Sequence, residues 1–170
     1  MGISERTGAK TINGPVRSAA KPLGHEFATA NGFTIIEKDG TKAVRYGPLN
    51  PGPLHNLPTT VVQSFRSGSY TGRTLAAPKD LYRVFSDPEN KFGAYWTDLP
   101  PSGPLQSTID SALLPSFGNA AERVVHIKVP PNETIFEGFA GPQSEARGIR
   151  LLGGGRQVVL NKVDPSWEIR

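Results

Sequence analysis

Arg83 stands inside the apolar run Leu81-Tyr82-Arg83-Val84-Phe85. A guanidinium on such a strand costs free energy unless something pairs with it. Its flat fork suits a carboxylate or a phosphate, so an internal ion pair and an anion-binding role are both open. A second group follows at Tyr95, Trp96 and Thr97, two flat aromatic faces and a hydroxyl. Core packing is expected to claim at least one of those rings. The third is Gln157, an uncharged amide between the glycines Gly153 to Gly155 and the strand-forming run Val158-Val159-Leu160. It can hydrogen-bond a hydroxyl at the rim of a cleft or point outward from the last strand. Glu137 lies in Ile-Phe-Glu-Gly-Phe, four residues from Glu133 and so on the same strand face. A solvent-facing position is the plainer reading of it.

Other chemistries find no support. His25, His55 and His126 are isolated, with no pair at metal-ligand spacing, so no metal site is expected. His126, between valines and an isoleucine, reads as a sheet-face histidine with an ordinary hydrogen bond. No serine stands on a strand-to-helix elbow. No glycine fingerprint joins a strand to a helix, and Gly153 to Gly155 precede a strand, so no helix dipole backs a phosphate loop there. The chain has no cysteine, which removes disulfides, thiolate metal sites and a cysteine nucleophile. The net charge of +4 is scattered. No basic stripe interleaved with aromatics appears, so the surface suits anionic small molecules better than nucleic acid. No apolar run approaches the roughly 18 residues of a membrane span. The first residues lack the apolar core of a signal peptide, so export is expected to depend on something upstream or separate.

The elements that must position these residues are short. Gly (19) and Pro (16) make up 35 of the 170 residues, above the ordinary share of roughly 12%, which fits many turns. Residues 1 to about 24 read as an arm. GFTIIEKDGTKAVRYG reads as a hairpin with a type I′ turn at Asp39-Gly40, and a proline-rich stretch from Pro48 to Pro58 reads as a linker or extended wrap. A short helix is expected from Thr59 or Thr60 to Phe65, broken by SGSYTGR. DLYRVFS and GAYWT read as strands. PLQSTIDSALLP reads as a helix with Leu105, Ile109, Ala112 and Leu113 on its apolar face. RVVHIKVP and ETIFEGFAG read as strands, SEARGIRLLGGG as a loop, and RQVVLNK as the strand closing the sheet. Trp167 packs back from a short tail. The order predicts an α+β fold, a curved and mostly antiparallel sheet with one main helix. Residues 1–47 are expected to form an N-terminal arm and hairpin, and 48–170 the main domain.

LYRVF, GAYWT, PLQSTIDSALLP, VVHIKVPPNETIFEGFAGPQ and GGGRQVVL, in this order, resemble the C-terminal toxin domains of bacterial polymorphic toxins. The closing GGGxQ resembles the tuberculosis necrotizing toxin family of NAD glycohydrolases, and the whole resembles the wider ADP-ribosyltransferase-like fold. The resemblance covers about residues 60 to 165. It implies that Arg83 holds the NAD pyrophosphate, that Thr97 with Tyr95 and Trp96 lines the nicotinamide-ribose pocket, that Tyr82 also binds substrate, that the backbone at Gly155 passes close to the ligand, and that Gln157 sits by the scissile N-glycosidic bond. Glu137 is the carboxylate available for catalysis. That family also relies on a histidine, and His126 is the one within the matched stretch. Transferases usually carry Glu where Gln157 stands, so the resemblance implies hydrolysis of NAD(P) to nicotinamide and ADP-ribose, with NAD(P) as substrate and no cofactor. ADP-ribosyl transfer and RNA cleavage are the alternatives. It further implies a secreted or injected effector acting in a target cell's cytoplasm, a larger delivery protein upstream and a cognate immunity protein.

Overall fold

The computed structural model describes residues 25–29, 32–146 and 148–169. The expected arm over residues 1–24 lies outside them. In chain order the strands are β1 (His25–Thr29), β2 (Gly32–Ile36), β3 (Lys42–Tyr46), β4 (Tyr70–Thr74), β5 (Lys79–Phe85), β6 (Tyr95–Trp96), β7 (Arg123–Val129), β8 (Thr134–Phe139), β9 (Gln143–Ser144), β10 (Arg150–Leu151) and β11 (Arg156–Val159). Two α-helices, α1 (Thr59–Gln63) and α2 (Pro104–Asp110), and several single 3₁₀ turns join them. The fold is mixed α and β with few helices, and every described strand pair is antiparallel.

Seven strands form one sheet in the order β1-β2-β3-β4-β8-β11-β6, while β5 and β7 form a separate pair. Strand periodicity assigns two cores to the two faces of the large sheet. Ile135 and Val158 point to one face, where they meet Leu81, Phe85, Val125, Ile127 and Val129 of the β5–β7 pair. Their neighbours Phe136 and Val159 point to the other, where Leu54, Val62, Phe65 and Tyr70 cover them. On β7 the buried residues are the alternate ones, Val125, Ile127 and Val129. Reciprocal backbone hydrogen bonds of 2.8 Å between Tyr82 and Thr97 tie β5 to the end of β6. Trp167 packs on the first core, as expected.

Four local readings change. SGSYTGR is not only a breaker: its second half is β4, hydrogen-bonded between β3 and β8. Gly72 lets the rings of Tyr46 and Phe136 pack closely there, since a Cβ would lie 3.1 Å from the Tyr46 ring and 3.4 Å from Phe136. The hairpin at Asp39-Gly40 forms, but only Gly40 has positive φ (85°). The type I′ turn needs positive φ at both residues, so the loop is instead a turn from Glu37 to Gly40, closed by the left-handed glycine. The stretch 144–155, read as a loop, contributes Ser144 and all of β10 to the small β9–β10 ladder. The helix α2 ends at Asp110, and of its expected apolar face Leu105 and Ile109 are exposed and Ser107 is buried instead, while Ala112, just beyond the helix, is buried as expected. The proline-rich stretch buries Leu54 completely within a 3₁₀ turn, and Pro at the first position suits that turn.

Candidate functional site

A cavity of about 620 Å³ opens where β5, the end of β6, both helices and the start of β11 converge. β5 supplies Tyr82, Arg83 and Val84, and β6 with the turn after it supplies Tyr95, Trp96, Thr97 and Leu99. Thr60 and Ser64 come from α1 and its C-cap, Ser107 and Asp110 from α2, and Phe117 and Asn119 from the turn beyond. Gly155, Arg156 and Gln157 complete it. Segments far apart in sequence are brought together because β11 is inserted between β8 and β6, and β6 is hooked to β5.

The amide of Gln157 is buried and has a fixed orientation. Its Nε2 donates to Ser64 Oγ at 2.9 Å, and Ser64 Oγ donates to Val61 O at 2.7 Å. A hydroxyl whose proton is spent on a carbonyl must accept from its other neighbour, which assigns Nε2 to the serine side. Oε1 then has no protein donor among the described residues, yet no buried side-chain oxygen there lacks a partner. The Oε1 atom is therefore open to the cavity as an acceptor.

Arg83 is held by backbone. Its Nε donates to Asn90 O at 3.1 Å and its Nη1 to Tyr95 O at 2.8 Å. Gly93 closes over it, since a Cβ at that position would lie 2.5 Å from Nη2. Among the described residues no carboxylate pairs with it. Burial pushes its pKa below the usual arginine value, against the opposing influence of Tyr95, and arginine stays a cation at neutral pH. Among the described residues the internal ion pair left open by the sequence is therefore not used. Nη2 has no protein acceptor among them and can meet a ligand oxygen.

Trp96 is buried in the first core with its Nε1 donating to Gly93 O at 2.7 Å, and so gives the cavity only a wall. Tyr95 is 37% exposed at the rim with Leu99 and Phe117. Thr97 Oγ1 accepts from Leu99 N at 3.3 Å, keeping its proton available to donate. The Tyr82 ring stacks on His126 at 4.5 Å, and His126 Nε2 lies 2.9 Å from Asp80 Oδ1. His126 itself is not among the lining residues.

Glu137 does not reach the cavity. It opposes Val158 across the β8–β11 ladder, on the face opposite Gln157. It is buried rather than solvent-facing and sits in a charge network. Arg73 bonds both Glu137 and Glu37, Lys79 Nζ lies 3.6 Å from Glu137 Oε2 and 3.3 Å from Asp98 Oδ2, and Arg156 reaches Glu137 at 3.9 Å. Arg156 grips Asp98 through two bonds, 3.1 and 2.6 Å. Burial pushes the Asp98 carboxyl up, but Arg156 and Lys79 outweigh it and hold it below the usual aspartate value. This network fixes the turn after β6 to the start of β11.

The glycines also differ from expectation. Gly153 (φ 60°) is pressed against Ala140 and Gly141 carbonyls, and a Cβ on Gly155 would lie 2.5 Å from Asp110 Cβ. The close approach they permit is to the protein's own backbone, though Gly155 does line the cavity. Sequence reading passed over Ser64 and Asp110. An acid in the last turn of α2, where the helix dipole disfavours it and no basic residue offsets it, was the available signal.

No protein-family model, curated protein or solved structure matches this chain.

Proposed function

We propose that the chain is an NAD(P) glycohydrolase, a toxin domain with an ADP-ribosyltransferase-like fold. The observation that supports this reading is the single cavity lined by Tyr82, Arg83, Tyr95, Trp96, Thr97, Gly155 and Gln157 together. Aromatic and apolar walls with a few fixed polar groups suit a dinucleotide. Arg83 Nη2 meets a pyrophosphate oxygen, Tyr95 flanks a flat ring, and Gln157 Oε1 accepts from a ribose hydroxyl. Cleavage of the nicotinamide bond passes through a charge-spread oxocarbenium ion, as in glycoside hydrolysis. The leaving group is already a cationic pyridinium, so positioning and solvent exclusion carry much of the barrier.

Hydrolysis is preferred to transfer because Gln157 is an amide and Glu137 lies across the sheet from it. A basic toxin of this kind pairs with an immunity protein that plugs the cleft, and acts in a target cell after delivery by a larger protein. Expression of the chain in a bacterial host, with NAD content followed alongside growth, tests the reading. Early NAD loss before growth arrest is expected. Unchanged NAD with arrested growth would point to another activity, and labelled NAD retained on a macromolecule would point to transfer.

A further inference from the structure

We infer that Asp110 is the general base that activates the attacking water, an inference that rests on the glycohydrolase reading. Asp110 is the one carboxylate among the described residues that line the cavity. It stands in the last turn of α2, which has no basic residue, and no cation lies within ion-pair distance of it among the described residues. The negative end of a helix dipole disfavours an acid there. Neither the helix dipole nor an ion pair accounts for this residue type.

The side chain is nevertheless held in place. Gln106 Nε2 donates to Oδ1 at 2.8 Å, and Oδ2 has no protein partner among the described residues. The backbone of Asp110 accepts from Gly155 N at 2.9 Å, and Gly155 lacks the Cβ that would collide with Asp110 Cβ. Asp110 is thus set against Gly155, which lies two positions before Gln157 in the chain, with its carboxylate oriented by Gln106. The two groups divide the work by their chemistry. The Gln157 amide can orient a ribose hydroxyl but cannot take a proton, whereas a carboxylate can. As the ribose C1′–nitrogen bond breaks, its electron pair returns to the nicotinamide ring nitrogen. The water oxygen bonds to C1′, and its proton goes to Asp110 Oδ2 and then to solvent.

The test is Asp110→Asn, which keeps the oxygen that Gln106 binds. Nicotinamide release from NAD is measured on the full chain with and without sodium azide, a nucleophile that needs no deprotonation. Turnover of the variant is expected to fall about 100-fold or more with Tm unchanged or raised. Azide is expected to restore the variant's rate, giving ADP-ribosyl azide, without accelerating the parent chain. A variant as fast as the parent, or a slow one that azide does not rescue, would overturn the assignment. A parent chain inert towards NAD would instead defeat the glycohydrolase reading, and this inference with it.

Discussion

At the scale of single residues, the site depends on hydrogen bonds that assign direction. Ser64 passes its proton to Val61 O and so turns Oε1 of Gln157 to the cavity. Gln157→Ala removes that acceptor and is expected to slow nicotinamide release roughly 10- to 100-fold, the equivalent of one to two hydrogen bonds. Ser64→Ala leaves the amide in place but free to turn, so a smaller loss in turnover is expected, checked by kcat with KM measured separately. Arg83 has two tasks. Its fork ties Asn90 O and Tyr95 O, and a lysine cannot reproduce that geometry. Arg83→Lys is therefore expected to lower stability by about 3 kcal/mol, or about 6–12 °C in Tm for a chain of this size, as well as activity. A melting curve unchanged from the parent would remove its structural task. Arg83, Tyr95 and Gln157 were legible in the sequence because each is chemically out of place in its local pattern. Ser64 was not, because its role exists only once α1 lies against β11.

At the scale of elements, the turn after β6 and the start of β11 are locked by charge. Asp98 sits between Arg156 and Lys79, and its folded pKa lies below its ordinary value. A depressed carboxyl stabilises the fold above its unfolded pKa of about 3.9 and loses that contribution as pH falls through the folded value. Asp98→Asn is expected to lower Tm at pH 7 and to show a flatter decline of Tm below about pH 4; parallel Tm curves for variant and parent would contradict it. Gly155→Ala drives a methyl into Asp110 and is expected to cost about 1–3 kcal/mol, seen as a lower denaturant midpoint with reduced turnover. The strongly alternating elements β5, β7 and β8 were legible from their sequences. β4 was hidden because Gly72 answers to the rings of Tyr46 and Phe136, contacts that local pattern does not carry. On α2 the apolar spacing of Leu105 and Ile109 misled, because the cavity takes the opposite, polar side through Ser107 and Asp110.

At the scale of the whole molecule, the antiparallel α+β organisation followed from the order of short strands, but the strand order in the sheet did not. The insertion of β11 between β8 and β6 is a long-range choice, and it decides which residues share the cavity. The β8–β11 register, with Gln157 opposite Gly138 and Val158 opposite Glu137, puts Gln157 and Glu137 on opposite faces of the sheet. The most direct test is to incubate the purified chain with NAD and separate the products by chromatography. Nicotinamide and ADP-ribose are expected to accumulate in equal amounts as NAD disappears, with the rate lowered by Gln157→Ala. NAD that persists at high protein concentration would contradict the account.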